Sequence, residues 1–289
     1  MYTLLKTDLS VGNDARGGTI IEETNRLLAD SSAGLEFEPG PHVYRLHGRE
    51  VPSVSEVVGR YAPFNSEAMA RKCAGTRDPK SRYYGMDVQS ILAMWEEKRD
   101  RSAEAGTAVH AFGEACFLHM TGHGDSIEEQ FRDRLDGRGG LVALSGKEEA
   151  AARWWASLDW ERYVVVAKET RLVNPVLDYA GTFDLLVFDT RTGTFVIKDY
   201  KTNEDLFKWY GEWLSGPFHR ILKNNDEGRY TLQQNLYRIQ MANIGLPVSA
   251  MELIWLKEDG SFQEVPLRDY DRLIRFTLKQ DLQNENIHR

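Results

Sequence analysis

Gly181-Thr-Phe-Asp-Leu-Leu-Val-Phe188 and Thr194-Phe-Val-Ile-Lys-Asp-Tyr-Lys201 are two apolar, β-forming runs on either side of Asp189 and the cluster Thr190-Arg-Thr-Gly193. Such runs bounded by a short Gly-containing turn predict a β-hairpin. A loop of residues 190–193 sets Asp189 opposite Thr194, Phe188 opposite Phe195 and Asp184 opposite Asp199. Directly opposed side chains stand about 4.5–5.5 Å apart at Cβ, where like charges destabilise a sheet. Two carboxylates so held need a cation between them, or one must stay protonated. Removing either is expected to relieve that repulsion in the metal-free protein. Lys201 lies two residues past Asp199 and shares its strand face. The pattern points to a divalent-metal site beside a lysine.

An acidic residue two before a lysine is not rare here: Asp78-Pro-Lys80, Glu96-Glu-Lys98 and Asp199-Tyr-Lys201 all qualify. Only the third ends an apolar strand with a second carboxylate in register. A solvated surface hairpin is the plain alternative for these residues taken alone.

The chain has 289 residues, 42% hydrophobic and 28% charged, an ordinary globular composition. No apolar run approaches the roughly 18 residues of a membrane span. The first residues, Met1-Tyr-Thr-Leu-Leu-Lys-Thr-Asp8, lack the basic and apolar regions of a secretion signal. Cys73 and Cys116 are too few for a four-cysteine cluster or a disulfide framework. An intracellular protein with free thiols is expected. The formal charge of −8 argues against indiscriminate coating of nucleic acid, without excluding a local basic groove. Arg71, Lys72, Arg77, Lys80 and Arg82 form one cationic run, and Lys98, Arg99 and Arg101 another. Each alone reads as a solvated face.

Outside the hairpin, His42–Leu46 and Arg49–Val51 predict a small hairpin, and Ser53-Val-Ser-Glu56 is a capping box opening a helix through about Tyr61. Helical spacing marks residues 88–101; Gly106 reads as a break before a second helix over 107–119. Lys147 to Arg162 reads as a helix, Tyr163 to Leu172 as a strand, and residues 203–228 as an aromatic-rich connection. A helix over 230–244, a hairpin over 251–267 and a helix over 269–284 complete a mixed α/β order.

His110 and Glu114 sit four apart on one helical face, a spacing that can ligate metal and more often makes a local hydrogen bond. His119 and His123 are rejected as a site because Gly122 and Gly124 interrupt the helix. Gln233 and Tyr237 form a further same-face pair. No His-Glu-x-x-His sequence exists, and Gly139-Gly140…Gly146-Lys147 misses phosphate-loop spacing.

Taken in order, Gly106-Thr-x-x-His110-x-x-x-Glu114, Gly181-Thr-x-Asp184, Asp199-Tyr-Lys201-Thr202 and Gln233-x-x-x-Tyr237 resemble the RecB-type exonuclease branch of the PD-(D/E)XK nuclease superfamily. The segment 42–54 and the connection 210–230 are similar to bacteriophage versions. The resemblance implies a mixed central sheet flanked by helices, a restriction-endonuclease-like core with N- and C-terminal additions. It divides the chain into an N-terminal arm and hairpin (1–60) and a nuclease domain (61–289). It implies Mg²⁺ or Mn²⁺ held by His110, Asp184, Asp199 and the backbone carbonyl of Tyr200, with Lys201 activating water and stabilising charge. Gln233 and Tyr237 would steady the site and contact DNA; Glu114 would support it or hold a second ion, and Glu169 would support it likewise. No iron–sulfur cluster and no ATP site are expected. The implied activity is exonucleolytic cleavage of single- or double-stranded DNA in replication, recombination or repair, in the bacterial host cytoplasm if phage-encoded, with an annealing or replication protein as possible partner. A structure-specific endonuclease and a silent DNA-binding protein of the same fold are the alternatives, and RNA stays open as substrate.

Overall fold

The computed structural model describes residues 2–5 and 15–287. Of the expected N-terminal arm, residues 1 and 6–14 lie outside the described residues, as do 288 and 289 at the far end. In chain order the elements are β1 (Thr3–Leu4), α1 (Ala15–Ser31), β2 (Leu35–Glu38), β3 (Val43–Leu46), β4 (Arg49–Val51), α2 (Val54–Tyr61), α3 (Ser66–Ala74) and α4 (Val88–Met120). Then follow α5 (Glu129–Arg132), β5 (Leu141–Val142), α6 (Gly146–Ser157), β6 (Tyr163–Asn174), β7 (Tyr179–Asp189) and β8 (Thr194–Lys201). After a long connection come α7 (Asp226–Asn243), β9 (Val248–Leu256), β10 (Phe262–Pro266) and α8 (Asp271–Ile287).

The central sheet is mixed, in the order β10-β9-β8-β7-β6. All neighbours are antiparallel except β8 and β9. That parallel pair needs a crossover, which residues 202–247 supply through α7. Strand alternation divides the core between two faces. Leu186 and Ile197 pack with Val54 and Val57 of α2, Leu232 and Leu236 of α7, and Ile274 of α8. Leu185, Tyr200 and Ile254 pack on the other face with Val109 and Phe112 of α4 and Trp154 and Trp155 of α6. The protein therefore has an α/β fold with helices on both faces of a mixed five-stranded sheet. The tryptophans of α6 are core. No helix among the described residues is long and apolar enough to cross a membrane.

The β6–β7 hairpin outruns the rest of the sheet. Its extension carries Val173 and Ala180, against which β2, β3 and β4 lay Tyr44 and Val51. The capping box is fully formed: the Ser53 side chain accepts the Glu56 N–H, and the Glu56 carboxylate accepts the Ser53 N–H.

Several boundaries differ from the sequence expectation. α4 is one unbroken helix, so Gly106 is no break; one glycine inside a helix costs about 1 kcal/mol, which flanking turns absorb. α6 stops at Ser157 rather than running to Arg162. α7 starts at Asp226, four residues early, because Asn225 caps it by accepting the Gly228 N–H. Gly181 is required by packing. A Cβ there would lie 2.8 Å from Val54 Cγ2 and 2.9 Å from Tyr237 Cε1. Gly181→Ala should therefore cost about 1–3 kcal/mol, read in a denaturant melt. A wild-type midpoint would show that α2 and α7 yield freely.

Candidate metal centre

The β7–β8 ladder runs from Asp189↔Thr194 through Phe188↔Phe195 to Leu185↔Lys198, the register of a loop over 190–193. It stops one position before Asp184 and Asp199. There the side chain of Asp184 replaces backbone pairing, its Oδ2 accepting the Tyr200 N–H at 2.9 Å. The strands part at this point. An extended strand sends the N–H and C=O of one residue to the same side, so the Tyr200 carbonyl also faces the gap.

Asp184 is largely buried, and its Oδ2 lies 3.4 Å from His110 Nδ1. The imidazole stands edge-on to Tyr200, with ring centroids 5.4 Å apart. Gly113, one turn further along α4, lets the helix approach this closely, since a Cβ there would lie 3.2 Å from the Tyr200 ring.

Glu169 completes the cluster from β6. Between the pairs Lys168↔Leu185 and Thr170↔Phe183, it lies across from Asp184. Its φ of 44° is left-handed, a conformation that costs a non-glycine residue about 1–3 kcal/mol and is retained where function or packing holds it. His110, Glu169 and Asp184 bring one ligand atom each within 4.8 Å of one another. Much of the Glu169 side chain meets solvent, yet its carboxyl reaches inward. Burial there, then the charges of Asp184, Glu114 and Asp199, push its pKa up to about 8.

Asp199 and Lys201 form a buried ion pair beside this cluster. Burial, then Asp184, pushes the Asp199 carboxyl up to about 6, against the pull of Lys201. Burial would pull the Lys201 ammonium down; Asp199 and Asp184 outweigh it and hold its pKa above the ordinary lysine value. Lys201 also sits 4.4 Å over the Tyr230 ring. Tyr230 donates to Asn203 Oδ1, and Trp255 donates to the Asn203 carbonyl, so the residues after Lys201 are pinned.

The other expected residues fall nearby in different roles. Glu114 pairs with Lys168, at one side of a cleft lined by His110, Glu169, Asp184 and Tyr200. Tyr237 is buried behind the carboxylates and hydrogen-bonded to Gln233; burial, then Asp199 and Asp184, raises its hydroxyl pKa. Thus the structure gathers His110, Glu169 and Asp184 most tightly, while Asp199 engages Lys201. Glu169 ranks higher than its sequence reading as a support. The available signal was Glu169 as the one acid within the strand run Tyr163–Asn174. Lys168, Asn203 and Trp255 went unread.

The donor set suits a small hard cation: two carboxylates and a carbonyl favour Mg²⁺ or Mn²⁺, and one histidine inclines it to Mn²⁺. Glu169 lies among the charges of Asp184, Glu114 and Asp199, which a cation would offset.

A pH dependence follows. With a folded pKa near 8 against an ordinary 4.5, the folded state binds more protons than the unfolded one between those values. Stability of the metal-free protein should therefore fall as pH rises from about 4.5 to about 8, with Asp199 contributing at the acidic end. Glu169→Gln should flatten this slope and raise Tm at pH 8 in EDTA. An unaltered slope would mean that Glu169 does not carry the excess charge.

No protein-family model and no curated protein matches this chain. Among solved structures, a protein named "Putative exonuclease" from Eubacterium rectale is similar over 80% of this chain and 81% of its own, at 16% identity and a TM-score of 0.40.

Proposed function

We propose that this protein is a metal-dependent nuclease of the PD-(D/E)XK type that hydrolyses phosphodiester bonds in DNA from an end. The observation that carries the reading is the convergence of His110, Glu169 and Asp184 at a parting of strands, beside the buried Asp199–Lys201 pair. When bound, the cation would polarise a phosphoryl oxygen and acidify a water. His110, Glu169 and Asp184 would hold it, with the Tyr200 carbonyl facing the same gap. The Tyr200 N–H fixes the Asp184 carboxylate. Lys201, kept protonated, offers a fixed positive charge where negative charge grows on the phosphate oxygens. Asp199 keeps that ammonium in place, and Tyr237, hydrogen-bonded to Gln233, lies buried near both carboxylates.

The test is incubation of end-labelled linear and covalently closed DNA with Mg²⁺ or Mn²⁺. Shortening of linear DNA alone supports an exonuclease; cutting of closed circles favours an endonuclease on the same site. If wild type leaves every DNA and RNA form uncut with either ion, a binding role replaces the enzymatic one. Mn²⁺ should also raise Tm, by the equivalent of about 2.7 kcal/mol at a free concentration 100 times its Kd. A Tm insensitive to millimolar Mn²⁺ would contradict the metal assignment.

A further inference from the structure

The tip of the β6–β7 hairpin, the end of α1, the last turn of α7 and the middle of α8 border a cavity of about 460 Å³. That is the size of a small-molecule site. The cavity lies away from the metal centre. Tyr179, beside it, and Asp184 are five residues apart on β7, roughly 17 Å at the rise of a strand. The hairpin tip is a formed turn: Asn174, itself fully buried, accepts the Val176 and Leu177 N–H groups on Oδ1 at 3.2 and 3.0 Å.

Its lining joins positive charge, unspent amides and apolar surface. Arg275 and Lys279 stand four apart on α8, hence on one helical face. The Arg275 guanidinium is held in place, donating to Asp271 at 2.7 Å, to Asn243 Oδ1 at 2.8 Å and to the Ile239 carbonyl at 3.2 Å. Asp271 balances Arg275, whereas Lys279 pairs with no carboxylate among the described residues. Gln240 is 3% exposed, and its side-chain oxygen has no hydrogen-bond partner among the described residues. A buried amide in that state gains from any partner that reaches it, and a half-turn exchanges its donor and acceptor ends. Leu177 and Ile244 add apolar wall. Such a lining suits a phosphate monoester on a carbon-rich body with one hydrogen-bonding edge.

We propose that this cavity is a second, non-catalytic site that takes a nucleoside monophosphate. The phosphate sits at Lys279 and Arg275, the base edge at Gln240, and the sugar against Leu177 and Ile244. End-wise cleavage of DNA releases such molecules, so the occupant is the product of the proposed reaction. The chemistry of the cavity stands without the nuclease reading, which supplies only the source of the ligand. The site is joined to the metal centre through α7. Asn174 donates to the Tyr179 hydroxyl at 3.1 Å, and that hydroxyl donates at 2.8 Å to the carbonyl of Leu236, the residue before Tyr237. Gln240 follows Tyr237 by about one turn of the same helix. A nucleotide held by Gln240 therefore bears on the helix that carries Tyr237.

Calorimetric titration in EDTA tests it, with deoxyadenosine monophosphate as the probe and inorganic phosphate and deoxyadenosine as its separate halves. The nucleotide should bind saturably, and each half at least roughly tenfold more weakly, since each forfeits the contacts of the other. Lys279→Glu should weaken the nucleotide at least roughly tenfold by turning an attracting charge into a repelling one. Gln240→Leu should weaken it likewise while Tm holds or rises, because an unpartnered buried amide gives way to an apolar group. Lys279 is exposed, so its variant reads the binding even where Gln240→Leu fails to fold. Asp184→Asn should bind as wild type does, which separates the cavity from the metal centre. No binding at millimolar nucleotide, wild-type affinity in either cavity variant, or loss of binding in Asp184→Asn alone overturns the proposal. So does inorganic phosphate binding as tightly as the nucleotide, the mark of a plain anion site. If wild type cuts no DNA, the nuclease reading falls alone and the titration decides the cavity by itself.

Discussion

Asp184→Asn is expected to slow phosphodiester cleavage by roughly 10³-fold or more, the scale on which preorganised charge and metal ligation act at a reacting centre. The substitution is chosen because it separates chemistry from folding. Asn keeps the size of the side chain and an oxygen that can accept the Tyr200 N–H, so the parted strands keep their geometry. It removes the charge that faces His110 and Glu169. Thermal melting in EDTA should stay near wild type, or rise slightly because Glu169 loses its nearest like charge. The shift of Tm with Mn²⁺ should shrink at the same time as activity. A variant that cuts within tenfold of wild type would place the metal elsewhere.

The second large effect is on stability. Asp199→Ala should destabilise the protein by about 3–5 kcal/mol, the cost of leaving a buried charge without its partner. The Lys201 ammonium is left beneath the Tyr230 ring with Asp184 as its remaining anion. This reverses the expectation from register alone, in which removing Asp199 relieved repulsion. Lys201→Met should cost less, because an unpaired Asp199 can take up a proton, its pKa already pushed up to about 6. Combining Asp199→Ala with Lys201→Met should recover most of the loss, a coupling that a double-mutant cycle in urea measures directly. Independent, additive losses would show that the two side chains do not depend on each other.

Much of this arrangement was legible from local pattern. The hairpin over 182–201 was readable because two apolar runs flank a turn cluster, and the length of that loop fixes the pairing. The capping box at Ser53 and the last hairpin were readable for the same local reason. Glu169 was undervalued because its importance rests on a left-handed backbone inside a strand, which no pattern of residue types announces. The Asp199–Lys201 pair was read as a shared face, while its burial comes from α7 and β9, brought in by the long crossover. Gly106 was misread because helix propensity is a weak local preference, and α4 is held by contacts at both of its ends.

The unbroken course of α4 has one more consequence. His110 and the exposed stretch over 96–105 belong to a single stiff rod, with no joint between them. With Ile91 buried at one end and Val109 and Phe112 at the other, the rod is clamped twice, so the imidazole takes its place from the whole helix and not from a local loop.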